Sequence, residues 1–320
     1  MKQCARFVVP GLALLAWGAG LGMYTGCSSD PDSEAPVVDA GLDRGIILPP
    51  DADTPDANVA ACDTSKPFGT PRKLFGIAEK DVHSPRLSPD ERTMYFAATP
   101  KGQVQYDVGY VTRADRNGTF GDPVWPKNIN TPDYYEIWPW INGDGTFLYF
   151  TSNRTQGNWK MYLSTRPNTQ VEFGSPNEVA VPNSSGQIAC PFIREGVDIW
   201  YAVNSDIYRS VLVNGAFEQG QPVPELNDSS SGEEGPVLTP DGLAIFFTTN
   251  RSGAGTQGAE DIWTAERTTP TGTFSSVRPA TGLNSSSGDW AGWITPDSCR
   301  LYMNSNREGL RTIYVAERPR

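Results

Sequence analysis

One short pattern recurs five times along the chain and constrains the fold more than any other feature. Each copy joins a tight turn to a strand of aromatic and β-branched residues; the copies are SPDERTMYF at 88–96, NGDGTFLYF at 142–150, EGVDIWYAV at 195–203, TPDGLAIFF at 239–247 and TPDSCRLYM at 295–303. Pro, Asp and Gly favour the reversal, and the run behind it is typical of a buried strand. Equivalent turn residues lie 54, 52, 45 and 56 positions apart. Repeats of about 40–50 residues with several short strands are typical of a β-propeller.

The remainder of each repeat fits a four-stranded blade. A segment led by phenylalanine opens each repeat, at Phe68, Phe120, Phe173, Phe217 and Phe274. The chain ends after the third strand of the fifth repeat, so the missing outer strand is expected from Phe68–Phe75. A ring closed in this way has no free sheet edge. The sequence therefore predicts an all-β, five-bladed propeller over residues 67–320, with its last blade completed by the N-terminal strand.

The repeats resemble the Pro-Asp type of the WD40-like β-propeller family, best known from the periplasmic propeller of the bacterial Tol system. The resemblance covers residues 68–318 and is carried by short motifs: SPD at 88–90, TPDG at 239–242, TPD at 295–297, the SNR or TNR triplets that end at Arg154, Arg251 and Arg307, and DIY or DIW at Asp206 and Asp261. It implies the propeller fold and leaves function open, because propellers serve binding, scaffolding and catalysis. We expect the triplet arginines to pair with the DIY aspartates and lock adjacent strands of a blade.

Residues 1–27 are predicted to be a targeting segment. Lys2 and Arg6 give a basic start, and an apolar run continues to Thr25, which is typical of a signal peptide. The MYTGC sequence that ends at Cys27 resembles a bacterial lipobox, although Tyr24 stands where that pattern prefers leucine. The resemblance implies that Cys27 is acylated. An uncleaved membrane anchor and ordinary cleavage are the alternatives.

Residues 28–66 are predicted to be an extended tether. The segment is rich in Asp, Pro and Ala, it lacks aromatic residues, and its nine acidic side chains outnumber Arg44 and Lys66. Such a composition buries too little apolar surface to offset the entropy of ordering. The tether would hold the propeller away from the membrane, and cation binding is the alternative role of its acids.

The net charge of −11 argues against nucleic acid or an anionic membrane surface as the partner. Contact with a membrane is expected through the lipid anchor alone. Ser28, directly after the cysteine, resembles the outer-membrane sorting signal of Gram-negative lipoproteins. We therefore expect an exported, monomeric protein of the bacterial cell envelope. It would be an outer-membrane lipoprotein that faces the periplasm or the cell surface, with a protein or glycan as its partner.

A set of polar and aromatic residues is predicted to converge at one mouth of the central channel. They lie one to three positions before the Pro or Gly of an innermost strand and are His83, Glu136, Trp138, Glu233, Glu234, Asp289 and Trp290. Carboxylates beside tryptophans suit a cation or a sugar, and two of them could supply the paired acids of glycoside hydrolysis. The alternative is structural, because polar residues cap the ends of inner strands in any propeller.

No catalytic constellation is apparent in the sequence. It contains no HExxH, P-loop or nucleophile-elbow motif, and no cofactor or metal is expected. We therefore favour a non-enzymatic binding or scaffolding module in which no residue is assigned a catalytic role. The alternative is a carbohydrate-active, glycosidase-like enzyme that uses Glu136, Glu233, Glu234 and Asp289.

Three cysteines remain beyond the leader and the lipobox, namely Cys62, Cys190 and Cys299. Their spacing fits no metal site, and an exported protein can oxidise two of them. Cys62 lies six residues before the strand expected to close the fifth blade, and Cys299 lies just past the Asp297 turn of that blade. Six extended residues cover about 20 Å. The sequence predicts a disulfide between Cys62 and Cys299 and a free thiol at Cys190.

Replacing Cys27 with serine tests the anchor. If Cys27 carries the lipid, Cys27→Ser abolishes incorporation of labelled fatty acid and leaves an uncleaved precursor. Cys4→Ser, within the leader, is the control and leaves labelling intact. Metabolic labelling followed by immunoprecipitation measures both variants. Normal processing and unchanged membrane partitioning of Cys27→Ser would contradict the lipoprotein interpretation.

Overall fold

Five antiparallel sheets form a ring of blades, and the chain is an all-β, five-bladed propeller as the sequence predicts. The structure is a computed structural model that describes residues 61–74, 80–181 and 186–320. None of these residues forms a helix that could cross a membrane. The predicted leader, Cys27 and the tether up to residue 60 lie outside the described residues.

The innermost strand of each blade comes first in the chain, and the later strands are added outward. Blade 1 contains β2 (Lys80–Leu87), β3 (Thr93–Thr99) and β4 (Asp107–Thr112). Blade 2 contains β5 (Glu136–Ile141), β6 (Phe147–Thr155), β7 (Asn158–Thr165) and β8 (Asn177–Glu178). Blade 3 contains β9 (Ile188–Arg194), β10 (Asp198–Val203), β11 (Asp206–Val213), β12 (Ala216–Phe217) and β13 (Gln221–Pro222). Blade 4 contains β14 (Glu233–Leu238), β15 (Ala244–Thr249), β16 (Asp261–Glu266) and β17 (Ser275–Pro279). Blade 5 contains β18 (Asp289–Ile294), β19 (Arg300–Ser305), β20 (Thr312–Glu317) and, from the other end of the chain, β1 (Arg72–Lys73).

The recurring turn between the first two strands is held by its aspartate. In four blades the carboxylate accepts the backbone N–H two residues later at 2.9–3.0 Å; the pairs are Asp90 with Arg92, Asp144 with Thr146, Asp241 with Leu243, and Asp297 with Cys299. The residue after the aspartate has a positive φ, for example 74° at Gly145 and 67° at Gly242. Glycine adopts this left-handed conformation without a steric cost, which explains the Asp-Gly pair in these two repeats.

The N-terminal strand closes the ring, as predicted. β1 pairs antiparallel with β20, with Arg72 opposite Val315 and Lys73 opposite Tyr314. Phe75, the last residue of the expected closing strand, lies outside the described residues. The edge of blade 5 is thereby covered, which removes a template for pairing with another chain.

A disulfide between Cys62 and Cys299 fastens the start of the described chain to blade 5, in the pairing expected from the sequence. The two Cα atoms are 5.7 Å apart, and the cysteines are separated by 237 residues. The backbone N–H of Asp63 also donates to the carbonyl of Pro319 at 2.9 Å. Residues 61–66, assigned to the tether from their composition, therefore lie against the last blade. Cys190 is a free, buried cysteine.

A buried ion pair joins the first two strands of blades 2, 4 and 5. The acid opens the innermost strand and is fully buried, and the arginine ends the SNR or TNR triplet at the end of the next strand. The pairs are Glu136 with Arg154 (2.9 Å), Glu233 with Arg251 (2.8 Å), and Asp289 with Arg307. A serine or threonine hydroxyl and a backbone N–H also donate to each acid, so the carboxylates are fully committed.

The expected pairing of these arginines with the DIY aspartates is wrong. Asp206 and Asp261 form no ion pair within the described residues, whereas the three triplet arginines all contact the innermost strand. The carboxylate of Asp261 instead accepts the backbone N–H groups of Gln257 (2.7 Å) and Gly258 (3.1 Å). A local loop therefore satisfies this aspartate, and the arginine remains available to the inner strand.

Each triplet arginine also holds the loop that enters its blade. Arg154 donates to the carbonyl of Ile129 at 2.5 Å. The side chain of Asn130, the residue after Ile129, accepts the backbone N–H of Val108 in the preceding blade and donates to its C=O, at 2.9 Å each. The same arrangement recurs at Leu226 with Asn227 and at Leu283 with Asn284. The polar, asparagine-containing loops of the sequence are therefore joints between successive blades.

Removing the arginine of one buried pair tests how much these pairs contribute. Arg251→Met leaves the carboxylate of Glu233 buried without its cation, which typically costs about 3–5 kcal/mol of unfolding free energy. The control, Arg278→Met, breaks the exposed pair with Glu266 in the same blade and changes that free energy by less than about 1 kcal/mol. Urea denaturation measures both variants. Equal losses would contradict a structural role for the buried pair.

Candidate ligand-binding site

A cavity of about 180 Å³ lies at the centre of the ring. The residue directly before the Pro or Gly of every innermost strand contributes to its wall; these residues are Ser84, Trp138, Cys190, Gly235 and Ala291. All five blades therefore contribute an equivalent position, which places the cavity on the propeller axis. Hereafter we refer to it as the axial cavity.

A β-bulge at this position presents the side chains to the axial cavity. The pairing of the innermost strand with its neighbour shifts there in all five blades. Four of the residues have a left-handed backbone, with φ of 56° at Ser84, 50° at Trp138, 50° at Cys190 and 60° at Gly235. This conformation is rare for residues with a side chain, and bulges commonly redirect side chains beside functional sites.

The structure brings together part of the set predicted from the sequence. Four of the seven residues line the axial cavity: His83, Trp138, Glu234 and Trp290. The other three do not line it, because Glu136, Glu233 and Asp289 are fully buried in the ion pairs with the triplet arginines. The acid three positions before the Pro or Gly thus pairs with an arginine of its own blade and does not face the cavity. Glu234 is the one carboxylate that faces the cavity among the described residues.

Glu234 is held loosely compared with the paired acids. Its Oε1 accepts a hydrogen bond from the hydroxyl of Ser205 at 3.2 Å, and no cation lies within ion-pair distance of it in the described structure. Burial raises the pKa of this carboxyl above its ordinary value, and the charge of Glu260 raises it further, against the lowering effect of Ser205. The proton is therefore retained more readily at Glu234 than at an exposed glutamate.

His83 is a neutral histidine in the cavity wall. Burial, followed by the positive charge of Arg311, lowers the pKa of His83 to about 3. Its Nδ1 lies 2.9 Å from the hydroxyl of Ser84, whereas its Nε2 is buried and has no hydrogen-bond partner. The ring packs edge-on against Tyr106, with centroids 4.7 Å apart. One polar atom of the cavity wall is therefore left unsatisfied.

Aromatic rings form a continuous chain on one side of the cavity. Tyr106 contacts Tyr135 (6.0 Å between centroids), Tyr135 contacts Trp159 (6.2 Å), and Trp159 contacts Trp138 (5.8 Å). Trp159 is half-buried on strand β7. Trp290 lies under the guanidinium of Arg311, 5.6 Å from its ring centroid. The cavity thus offers flat apolar faces beside a few polar groups.

Arg86 is a cavity residue that the sequence analysis missed. It follows Pro85 on the innermost strand of blade 1, where the other blades carry apolar residues: Trp140, Phe192, Val237 and Trp293. The side chain is 6 % exposed, and burial lowers the pKa of its guanidinium to about 10. Its Nη1 has no hydrogen-bond partner in the described structure. When the five repeats are aligned, Arg86 is the one charged residue at a position that is apolar in the other four, and this exception could have identified it from the sequence.

The second arginine of the cavity is already neutralised. Arg311 donates from Nε to the carboxylate of Asp81 at 2.6 Å and from Nη2 to the hydroxyl of Tyr106 at 2.8 Å. The guanidinium therefore has an internal counter-ion. The two arginines of the same cavity differ in this respect, because Arg86 has no carboxylate within 4.0 Å among the described residues.

The described residues contain no group of three or more side chains suited to a metal ion. Cys190 lines the cavity, and burial raises the pKa of its thiol well above the ordinary value. A protonated thiol is a poor nucleophile and a poor metal ligand. The wall of the axial cavity is therefore suited to binding by stacking and hydrogen bonds.

No protein-family model matches the sequence, and no curated protein is significantly similar to it. Among solved structures, the chain is similar to a thermostable family-43 glycoside hydrolase, with a TM-score of 0.50, 14% identity, and coverage of 76% of this chain and 91% of that chain. It is also similar to the catalytic domain of a GH62 α-L-arabinofuranosidase from Coprinopsis cinerea, with a TM-score of 0.49, 11% identity, and coverage of 80% and 98%. A protein assigned as TolB from Agrobacterium tumefaciens has a TM-score of 0.43, 19% identity, and coverage of 71% and 70%. At these identities the likeness to the family-43 hydrolase shows the propeller fold alone.

Proposed function

We propose that this chain is an exported, lipid-anchored β-propeller of the cell envelope that binds a glycan in its axial cavity without cleaving it. The observation that carries the proposal is where the structure places the four candidate acids. Three of them are buried in ion pairs, and Glu234 alone faces the cavity, beside Trp138 and Trp290. Export and anchoring rest on the leader and the lipobox-like sequence that ends at Cys27.

The distribution of carboxylates argues against the glycosidase alternative. Retaining and inverting glycosidases place two carboxyl groups about 5–10 Å apart across the scissile bond. Among the described residues, the axial cavity presents only the carboxylate of Glu234. The acids next to it in the repeat pattern, such as Glu233, hold their arginines and have no free access to the cavity. The second carboxyl group that hydrolysis requires is therefore missing from the described part of the wall.

The composition of the wall supports a sugar as the ligand. Small-molecule sites combine aromatic faces with a few well-placed polar groups. The tryptophan rings offer faces on which the C–H side of a pyranose can pack, and Asn304, Thr248 and Ser84 supply polar atoms around them. At about 180 Å³ the cavity is smaller than a typical drug site of about 300–1,000 Å³. It is therefore suited to one sugar unit of a longer glycan.

An array of immobilised glycans tests this function. The mature protein is expected to be retained by at least one glycan class, and Trp290→Ala weakens retention by at least about tenfold because the stacking face is lost. Phe147→Ala is the control: this exposed ring is 40 % accessible, does not line the cavity, and its loss leaves retention unchanged.

Two outcomes would contradict the proposal. Release of reducing ends from a bound glycan, abolished by Glu234→Gln, would favour the glycosidase alternative. Retention by no glycan, together with capture of an envelope protein that Trp290→Ala prevents, would favour a protein partner instead.

A further inference from the structure

Arg86 is a buried cation without a counter-ion. No carboxylate oxygen of the described residues lies within 4.0 Å of its guanidinium, and its Nη1 has no hydrogen-bond partner. Removing a charged group from water costs several kcal/mol unless a partner of opposite charge compensates. Two arginines that hold the blades, Arg154 and Arg251, each have a carboxylate within 2.9 Å, whereas the buried Arg267 donates to backbone carbonyls instead. Arg86 has neither kind of partner at its Nη1 among the described residues, so this nitrogen is available to a ligand.

The guanidinium of Arg86 reaches across the propeller axis. Arg86 belongs to blade 1, and its guanidinium carbon lies 5.5 Å from the ring centroid of Phe192, which belongs to blade 3. These blades are not neighbours in the ring, so the side chain crosses the centre. Arg86 and Cys190, which lies two residues before Phe192, both line the axial cavity. The uncompensated charge is therefore located where a ligand in the cavity can contact it.

We propose that the axial cavity takes a uronic acid unit, whose carboxylate pairs with Arg86 while its ring packs on Trp138 or Trp290. The proposal rests on the glycan-binding function above and names the class of sugar. An arginine and a carboxylate form one of the strongest charge-assisted contacts in proteins, often through two parallel hydrogen bonds. Binding would supply the counter-ion that Arg86 lacks among the described residues.

The charges around the cavity favour a ligand with a single negative charge. Arg311 is neutralised by Asp81, so Arg86 is the one uncompensated cation of the described wall. A phosphate carries about −1.5 to −2 charges at pH 7 and would lack a partner for the excess. A carboxylate matches the single cation.

The direct test compares a uronic acid with its methyl ester. The ester keeps the ring and removes the charge, so the two ligands differ only in the group assigned to Arg86. The mature protein in detergent is titrated by calorimetry with D-galacturonic acid, D-glucuronic acid, short oligogalacturonates and the corresponding methyl esters. At least one acid is expected to bind about tenfold or more tightly than its ester.

Arg86→Met provides the matched variant, because methionine fills the space and packs well against the Phe192 ring. This variant is expected to bind the acid about 10- to 100-fold more weakly and to melt at the same or a higher temperature, since an uncompensated buried charge has been removed. The exposed Arg278→Met is the control for loss of one positive charge and leaves affinity unchanged. The acid-against-ester comparison on the unmutated protein needs no variant and decides the question if Arg86→Met does not fold.

Several results would overturn the assignment. Equal affinity for acid and ester, or unchanged affinity in Arg86→Met, would show that the cavity binds sugars without using the charge, and the glycan function would stand. A large drop in melting temperature of Arg86→Met, together with equal affinity of the unmutated protein for acid and ester, would show that Arg86 is structural. Binding of glucose 6-phosphate or of an acetylated aspartyl peptide in place of the uronic acids would also exclude the proposed class. Retention of no glycan on the array would remove the glycan function itself.

Discussion

The buried ion pair between the triplet arginine and the acid of the innermost strand is the interaction on which the blade architecture depends. It joins the first two strands of a blade and, through the carbonyl of the entering loop, connects them to the blade before. Two charges are expensive to bury, and the cost is offset only when further hydrogen bonds satisfy the remaining polar atoms. Glu136 meets this condition, because the hydroxyl of Ser152 and the backbone N–H of Thr131 also donate to it at 2.8–2.9 Å.

Blades 1 and 3 show that the two charges of this pair occur together or not at all. Their innermost strands carry Val82 and Ile188 where the other blades carry an acid, and Pro100 and Ser205 stand at the arginine positions. Both apolar residues are buried. A lone acid or a lone arginine at such a position would leave an uncompensated buried charge. The first two strands of a blade are therefore joined in one of two ways, by an ion pair or by apolar residues. In neither case is a buried charge left without its partner at this position.

The same principle explains the chemical character of the axial cavity. Three of the four candidate acids form ion pairs with arginines and are therefore not available to a substrate. The bulge before each Pro or Gly instead directs the residues at that position towards the propeller axis. In that set the compensation is incomplete: Arg86 Nη1 and His83 Nε2 are buried without partners. Unsatisfied buried polar atoms are rare in folded proteins and call for an explanation such as a ligand. The blades also contain buried polar atoms without partners, such as Arg267 Nη2 and Asp107 Oδ1, but among the described residues Arg86 is the one such cation that lines the axial cavity.

The fold could be predicted from the sequence because its signals are local and repeated. The Thr-Pro-Asp turn before Ile245 or Leu301, the number of repeats, and the unfinished fifth blade are all visible along the chain. The pairing of Cys62 with Cys299 followed from the closure. Four of the seven residues predicted at the channel mouth also line the axial cavity, because the positions one and two before the Pro or Gly can be located in every repeat.

What could not be predicted depends on contacts across the ring. The bulge changes which of two adjacent acids faces the cavity, so Glu233 and Glu234 look equivalent in the sequence but have different roles in the structure. The reach of Arg86 to Phe192 joins two blades that are far apart in the chain. The preference of Arg251 for Glu233 over the DIW aspartate Asp261 likewise depends on three-dimensional proximity. The ionic joint was nevertheless readable in principle, because acid and arginine are present in the same repeats.

A crystal structure of the protein with a bound oligogalacturonate tests the central claim most directly, that the axial cavity is a ligand site built around an uncompensated cation. We expect electron density for one sugar unit in the axial cavity, with a carboxylate oxygen within about 3 Å of a guanidinium nitrogen of Arg86 and the ion pair between Glu233 and Arg251 unchanged. Sugar density elsewhere on the propeller, or Arg86 paired with a carboxylate of the protein itself, would contradict the account.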